Sequence, residues 1–203
     1  MAESTQSPVS TVPPNGAPLT REQASALLTE HTTSPVLIRH ALAVEASMRS
    51  MAERMGGDVE YWGAIGLLHD FDYEQHPTAA EHPFAGARIL RERGFPEQVI
   101  EDILSHATYA GVARETPVRR ALYAVDELSG FITAVALVRP TKSLSDVEPS
   151  SVRKKMKDKA FARAVNREDI TNGAAELGVE LDDLIVTVRD ALKPVASELG
   201  LNQ

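Results

Sequence analysis

At roughly 100–200 residues per domain, a chain of 203 residues makes one domain with a small appendage and a sizeable core. A hydrophobic share of 43% beside 25% charged residues is ordinary for a globular chain, and the lack of cysteine excludes disulfides and thiolate metal sites. A formal charge of -8 argues against a partner that is a nucleic-acid polymer, which needs a positive surface, whereas a local patch would suffice for a small phosphorylated substrate.

Residues 1–18 are rich in Ser, Thr, Pro and Gly without periodicity, so they bury too little apolar surface to offset the entropy of ordering and read as a disordered tail. Met1-Ala2-Glu3-Ser4 has no basic start followed by an apolar stretch, and nowhere is there an apolar run of the roughly 18 residues that a membrane span needs. A cytoplasmic protein is therefore expected. Thr20 with Gln23 forms a capping-box pattern that opens a short helix through Leu28. Ser34-Pro35 opens a longer one to about Met55, closed by Gly56-Gly57. Asp58 caps the next helix, whose apolar run from Trp62 to Leu68 ends in His69-Asp70. After a polar loop with Asp72, Glu74 and His76, helices are predicted over 83–93 and 96–107. A loop with Tyr109 and Gly111 leads to the longest apolar helix, 117–138, stopped by Pro140. A basic segment at 153–163, a helix near 167–177 ending at Gly178 and an amphipathic helix over 181–199 complete the chain. No stretch alternates apolar and polar residues over strand length, so the fold class is all-α. Residues 19–203 form one domain, with a core at 35–138 and a C-terminal helical extension at 144–203.

Residues three or four apart share a helix face, which sorts the possible metal ligands. His40 lies with Val36, Leu37, Ala43 and Val44; His69 with Ile65 and Trp62; His106 with Ile103 and Val99. Asp126 falls among Leu122, Tyr123, Ser129 and Gly130, which sets a carboxylate on an apolar face. Burying it unpaired is expensive, and a metal would offset that cost. Taken singly, each histidine is accounted for as a hydrogen-bonded core residue, and the His-Asp dipeptide as a polar helix end. Three inward histidines, an inward aspartate and the pair together point to a metal held by nitrogen and oxygen. Mn, Fe, Mg, Ni or Zn suit such donors, as one ion or two. His82, just before Pro83, is expected at a helix N-cap, where the positive end of the dipole keeps the ring neutral and able to ligate, although a cap needs no metal. His31 and His76 fall in loops and read as solvated.

The order His40, His69-Asp70, His82, His106, Asp126 resembles the HD-domain metal-dependent phosphohydrolase superfamily over roughly residues 35–138. The resemblance implies a helical bundle with added C-terminal helices. It further implies one ion held by His40, His69, Asp70 and Asp126, and a second held by His82 and His106 with Asp70 bridging. Glu81-His82-Pro83-Phe84-Ala85-Gly86-Ala87, Ser105-His106-Ala107 and Tyr123-Ala124-Val125-Asp126 are similar to the dinuclear subgroup that includes dinucleoside-polyphosphate hydrolases. Ser151 to Glu168 resembles the same segment of small HD proteins usually left without an assigned substrate.

The activity so implied is hydrolysis of a nucleotide or other small phosphate ester by a metal-activated water. A di-iron oxygenase stands as one alternative, since the same six-ligand arrangement serves oxygen-dependent cleavage in distant HD relatives; a metal-binding module without turnover is another. Asp72 and Glu74, just beyond the pair, are expected to orient the water or protonate the leaving group, or else to sit in an exposed polar loop. Lys154, Lys155 and Lys157, in the densest basic run, are expected either to clamp the substrate phosphate or to form a solvated face.

Overall fold

Thr20 opens the first helix with both halves of a capping box: its hydroxyl accepts from the Gln23 N–H, and the Gln23 side chain accepts from the Thr20 N–H. This is the start of a computed structural model that describes residues 18–202, so the tail expected over 1–18 lies, Pro18 apart, outside the described residues. The helices are α1 (Arg21–His31), α2 (Pro35–Met55), α3 (Val59–Leu68), α4 (Phe84–Glu92), α5 (Glu97–Leu104), α6 (Pro117–Leu137), α7 (Pro149–Met156), α8 (Arg167–Leu177) and α9 (Leu181–Leu192). Among the described residues there is no strand, only an isolated bridge between Ser143 and Asn202, and the chain is all-α. No helix of the described residues is long and apolar enough to cross a membrane.

Gly56, left-handed at φ 70°, closes α2, and the Asp58 side chain accepts from the Tyr61 N–H at 3.0 Å to start α3. Ser34 makes no side-chain cap. Two helices end earlier than their apolar periods suggest. At the end of α5, Ser105 and His106 turn their side chains back onto the carbonyls of Asp102 and Ile103, which stops the helix at Leu104 rather than near Ala107. At the end of α9, Pro194 cannot donate, and the chain passes into a 3-10 turn over Lys193–Val195 instead of running to Leu199.

α2, α3 and α6 pack together around Met48, Ile65, Leu68, Leu122 and Leu128, each fully buried; burial of such side chains contributes about 1.5–3 kcal/mol apiece. The α2–α3 approach is close because Gly66 faces it, where a Cβ would lie 2.9 Å from the Val44 carbonyl oxygen. α8 lies on α6 by the same device: a Cβ at Gly173 would stand 2.5 Å from the Ala124 Cα. These crossings bring the end of α3 and the middles of α2 and α6 to one place.

Candidate metal centre

α3 delivers His69 as its C-cap residue, fully buried, with Nδ1 donating to the Gly66 carbonyl at 2.8 Å. That bond turns Nε2 inward, 3.3 Å from Asp126 Oδ1 and 3.5 Å from Asp70 Oδ2. From α2, His40 brings its Nε2 to 3.0 Å from the same Asp126 oxygen, 3.2 Å from His69 Nε2 and 3.8 Å from Asp70 Oδ2. Ligand atoms on one ion with bonds of about 2.0–2.2 Å stand roughly 3–3.5 Å apart, so this spacing fits a single cation.

A second group uses the other oxygen of Asp70. His82 Nε2 and His106 Nε2 each lie 3.2 Å from Asp70 Oδ1 and 3.0 Å from one another. His40, His69 and Asp70 thus form one trio that could hold an ion, and Asp70, His82 and His106 another. In the second trio both outer nitrogens are held: Nδ1 of His106 donates to the Ile103 carbonyl at 2.6 Å, and Nδ1 of His82 to Asp72 Oδ1 at 2.8 Å. With these outer protons directed away, the inner nitrogens present lone pairs that either further protons or a cation must fill.

The electrostatics agree. Burial works against charge on His69, yet the carboxylates of Asp70 and Asp126 outweigh it and hold the ring well above its ordinary pKa. Burial likewise opposes the charge on His82, but Asp70 and Asp72 push its pKa up to about 9. Asp70 and Asp126, partly buried against these imidazoles, stay well below the usual carboxylate range, chiefly because His69 lies beside them. Imidazolium protons thus balance the carboxylates in the absence of a cation, and binding a cation would expel them.

The expectation of a helix end that keeps His82 neutral is corrected here. Pro83, not His82, is the N-cap residue of α4, and the Asp72 carboxylate decides the charge of the ring. Asp72 itself is 1% exposed and fully engaged, accepting from His82 Nδ1 and, at 2.7 Å, from the Gly86 N–H. Both of its oxygens are thus turned away from the cleft, one to His82 and one to the backbone of α4. Glu74 accepts from the N–H groups of Thr33 and Ser34 and from the Thr33 hydroxyl, which ties it to the start of α2. Lys154, Lys155 and Lys157 lie around the end of α7, where Lys155 sits 4.6 Å above the Phe161 ring; none of the three lines the cleft over the trios.

That cleft measures about 650 Å³ and is bordered by residues the sequence did not single out. Glu127, next to Asp126, lines it; burial and the charge of Asp126 push its carboxyl up to about 8. Tyr109, Tyr123, Arg114 and, from the first turn of α8, Glu168 and Asp169 also line it. Only Glu127 had a local signal, its adjacency to a ligand. A larger hollow of about 930 Å³ between α2 and α9 contains none of the ligand residues.

The HD domain family model matches residues 37–130, a span that contains His40, His69, Asp70, His82, His106 and Asp126. No curated protein and no solved structure matches the chain.

Proposed function

We propose, from the HD domain formed by residues 37–130, that this protein hydrolyses a small phosphate ester, such as a nucleotide, with two divalent ions. The observation that carries the reading is the single carboxylate of Asp70, which faces two imidazoles through Oδ2 and two more through Oδ1. Such a carboxylate would be shared by the residues that could hold two ions, and two ions would supply the chemistry of in-line displacement at phosphorus.

His40, His69, Asp126 and Asp70 Oδ2 would hold one ion; His82, His106 and Asp70 Oδ1 would hold the other. Four imidazoles with carboxylates and no sulfur favour Mn, Fe, Ni or Zn over Mg, which prefers an all-oxygen shell. When bound, such ions polarise the phosphoryl group and lower the pKa of water from 15.7 toward ~7. The chain supplies the rest. The Gly66 and Ile103 carbonyls and Asp72 fix the ring orientations, so little reorganisation is needed at the moment of reaction. Glu127, a cleft carboxyl outside both trios, carries the proton delivered to the leaving oxygen. The water oxygen bonds to phosphorus, the ester P–O bond breaks, and an alcohol and inorganic phosphate are released.

The test is metal analysis of the purified protein followed by assay of phosphate esters with Mn, Fe, Ni, Zn and Mg, in air and under argon. Hydrolysis that proceeds without oxygen supports the proposal. Product formation that requires dioxygen would establish the oxygenase, and no turnover with any metal would leave a binding module.

A further inference from the structure

The six lysines of the chain all follow residue 141, and five of them fall between Lys142 and Lys159. Residues 139–163 hold eight basic side chains against three acidic ones, in a chain whose formal charge is -8. Several arginines elsewhere are clamped on carboxylates: Arg49 on Glu60, Arg114 on Glu176, Arg119 on Glu101 and Asp102. In the basic segment Arg153 lies 3.4 Å from Asp182 and Lys155 3.9 Å from Asp158, but Lys142, Lys154, Lys157, Lys159 and Arg163 make no ion pair among the described residues. α7 sorts its side chains by face. Val152 and Met156 pack inward, while Ser150, Arg153, Lys154 and Lys157, spaced three and four residues apart, surround a hollow of about 350 Å³.

The end of α6 joins this surface, because Arg139 donates through Nη2 to the Ser151 hydroxyl at 2.6 Å. Just before it, Leu137 and Val138 are 41% and 60% exposed, the only two consecutive large apolar residues so exposed among the described residues. An anionic bilayer satisfies both features at once: its headgroups face the cations, and the acyl boundary beneath takes the aliphatic pair. A nucleic-acid strand would satisfy only the charge, since bases are held by aromatic faces or hydrogen-bonding side chains and Leu137 and Val138 supply neither. We propose that residues 137–163 form a surface that rests this protein on an anionic lipid membrane, with headgroup phosphate at Ser150, Arg153, Lys154 and Lys157 and with Leu137 and Val138 set into the acyl boundary. Charge and apolar area reinforce one another, as attachment without a spanning helix requires. The surface lies beyond residues 37–130 and none of it lines the cleft, so docking uses no residue of the candidate metal centre.

The experiment is co-sedimentation of the full chain with vesicles of phosphatidylcholine alone and of phosphatidylcholine containing about 30% phosphatidylserine, beside a titration with single-stranded RNA. Binding should be about tenfold or more tighter to the anionic vesicles and should weaken as salt rises. Lys154, Lys155 and Lys157 changed together to Gln should weaken it by about a hundredfold, at roughly fivefold for each cation near such a surface. Leu137→Ser with Val138→Ser, which leaves the charge untouched, should weaken it by about tenfold through lost apolar burial. Should either variant fail to fold, hydrogen exchange of the unmodified protein serves in its place: anionic vesicles should slow exchange within residues 137–163, and neutral ones should not. Equal sedimentation with both kinds of vesicle, or with neither, would overturn the proposal. Tighter binding to RNA that is indifferent to the Leu137 and Val138 changes would overturn it in favour of a nucleic-acid surface.

Discussion

Nε2 of His82 stands 3.0 Å from Nε2 of His106, while the outer nitrogen of each ring is held, by Asp72 Oδ1 and by the Ile103 carbonyl. Two neutral rings so oriented would meet lone pair to lone pair. A proton on His82 relieves that opposition below about pH 9, and a divalent ion would relieve it while also engaging Asp70 Oδ1, 3.2 Å from both.

Changing His82 and His106 together to Ala should therefore lower metal content from two ions per chain toward one. His40, His69, Asp70 and Asp126 keep the first. Loss of one ion's charge stabilisation should slow phosphoester hydrolysis by about two orders of magnitude. Elemental analysis beside the parent protein checks it; equal metal with activity kept would mean a one-metal enzyme.

Asp72→Asn preserves an acceptor for the Gly86 N–H but removes the charge beside His82. Loss of such an orienting carboxylate costs about 10–100-fold in metal affinity. The second ion should weaken by that factor in a calorimetric titration, with the first step unchanged. Weakening of both steps alike would show that Asp72 supports the whole centre.

Lys154, Lys155 and Lys157 changed together to Gln should leave kcat/KM for a small ester within about twofold, because exposed charges outside the cleft are screened at physiological salt. A tenfold loss would restore them to the substrate site.

Without metal, stability should fall as pH rises. His82 has a folded pKa of about 9 and His69 is also raised, against roughly 6.5 for a free imidazole. Folding thus favours the protonated rings; this stabilisation is full below about pH 6.5 and is lost toward pH 9, on the order of 3 kcal/mol for His82. Glu127, raised to about 8, acts in the same direction above the ordinary carboxyl range. Asp70 and Asp126, both depressed, contribute only above that range and lose their contribution as the solution becomes strongly acidic. Melting curves in chelator at about pH 5, 7 and 9 should decline steadily, and Mn should reverse the decline because its ligands bind deprotonated. A chelated protein that gains stability between pH 7 and 9 would contradict this charge pattern.

The sequence discloses what short-range periodicity controls. Ala43 and Val44 after His40, and Leu122 and Tyr123 before Asp126, mark faces that do turn inward, because each lies within a long helix that packs on its apolar side, whereas Val36, in the first turn of α2, is 70% exposed. His106 faces inward for another reason: α5 has already ended, and a ring-to-carbonyl bond aims it. Asp72 and Glu74, adjacent in the chain to the pair, diverge because the turns after α3 send one carboxylate into the protein and the other to the start of α2. The part of the cleft that α8 lines is illegible locally, since Asp169 meets Tyr123 only when α8 lands on α6.

That landing depends on Gly173, whose missing side chain lets the α8 backbone touch Ala124 two residues before Asp126. The contact works as a calliper. One jaw is α6 with Asp126, the other is α8 with Asp169, and a hydrogen atom in place of a methyl group sets the opening. The width of the cleft between Asp126 and Asp169 is thereby fixed by backbone against backbone, which no side-chain rotation can adjust. Gly173→Ala would pry the jaws apart and widen the cleft.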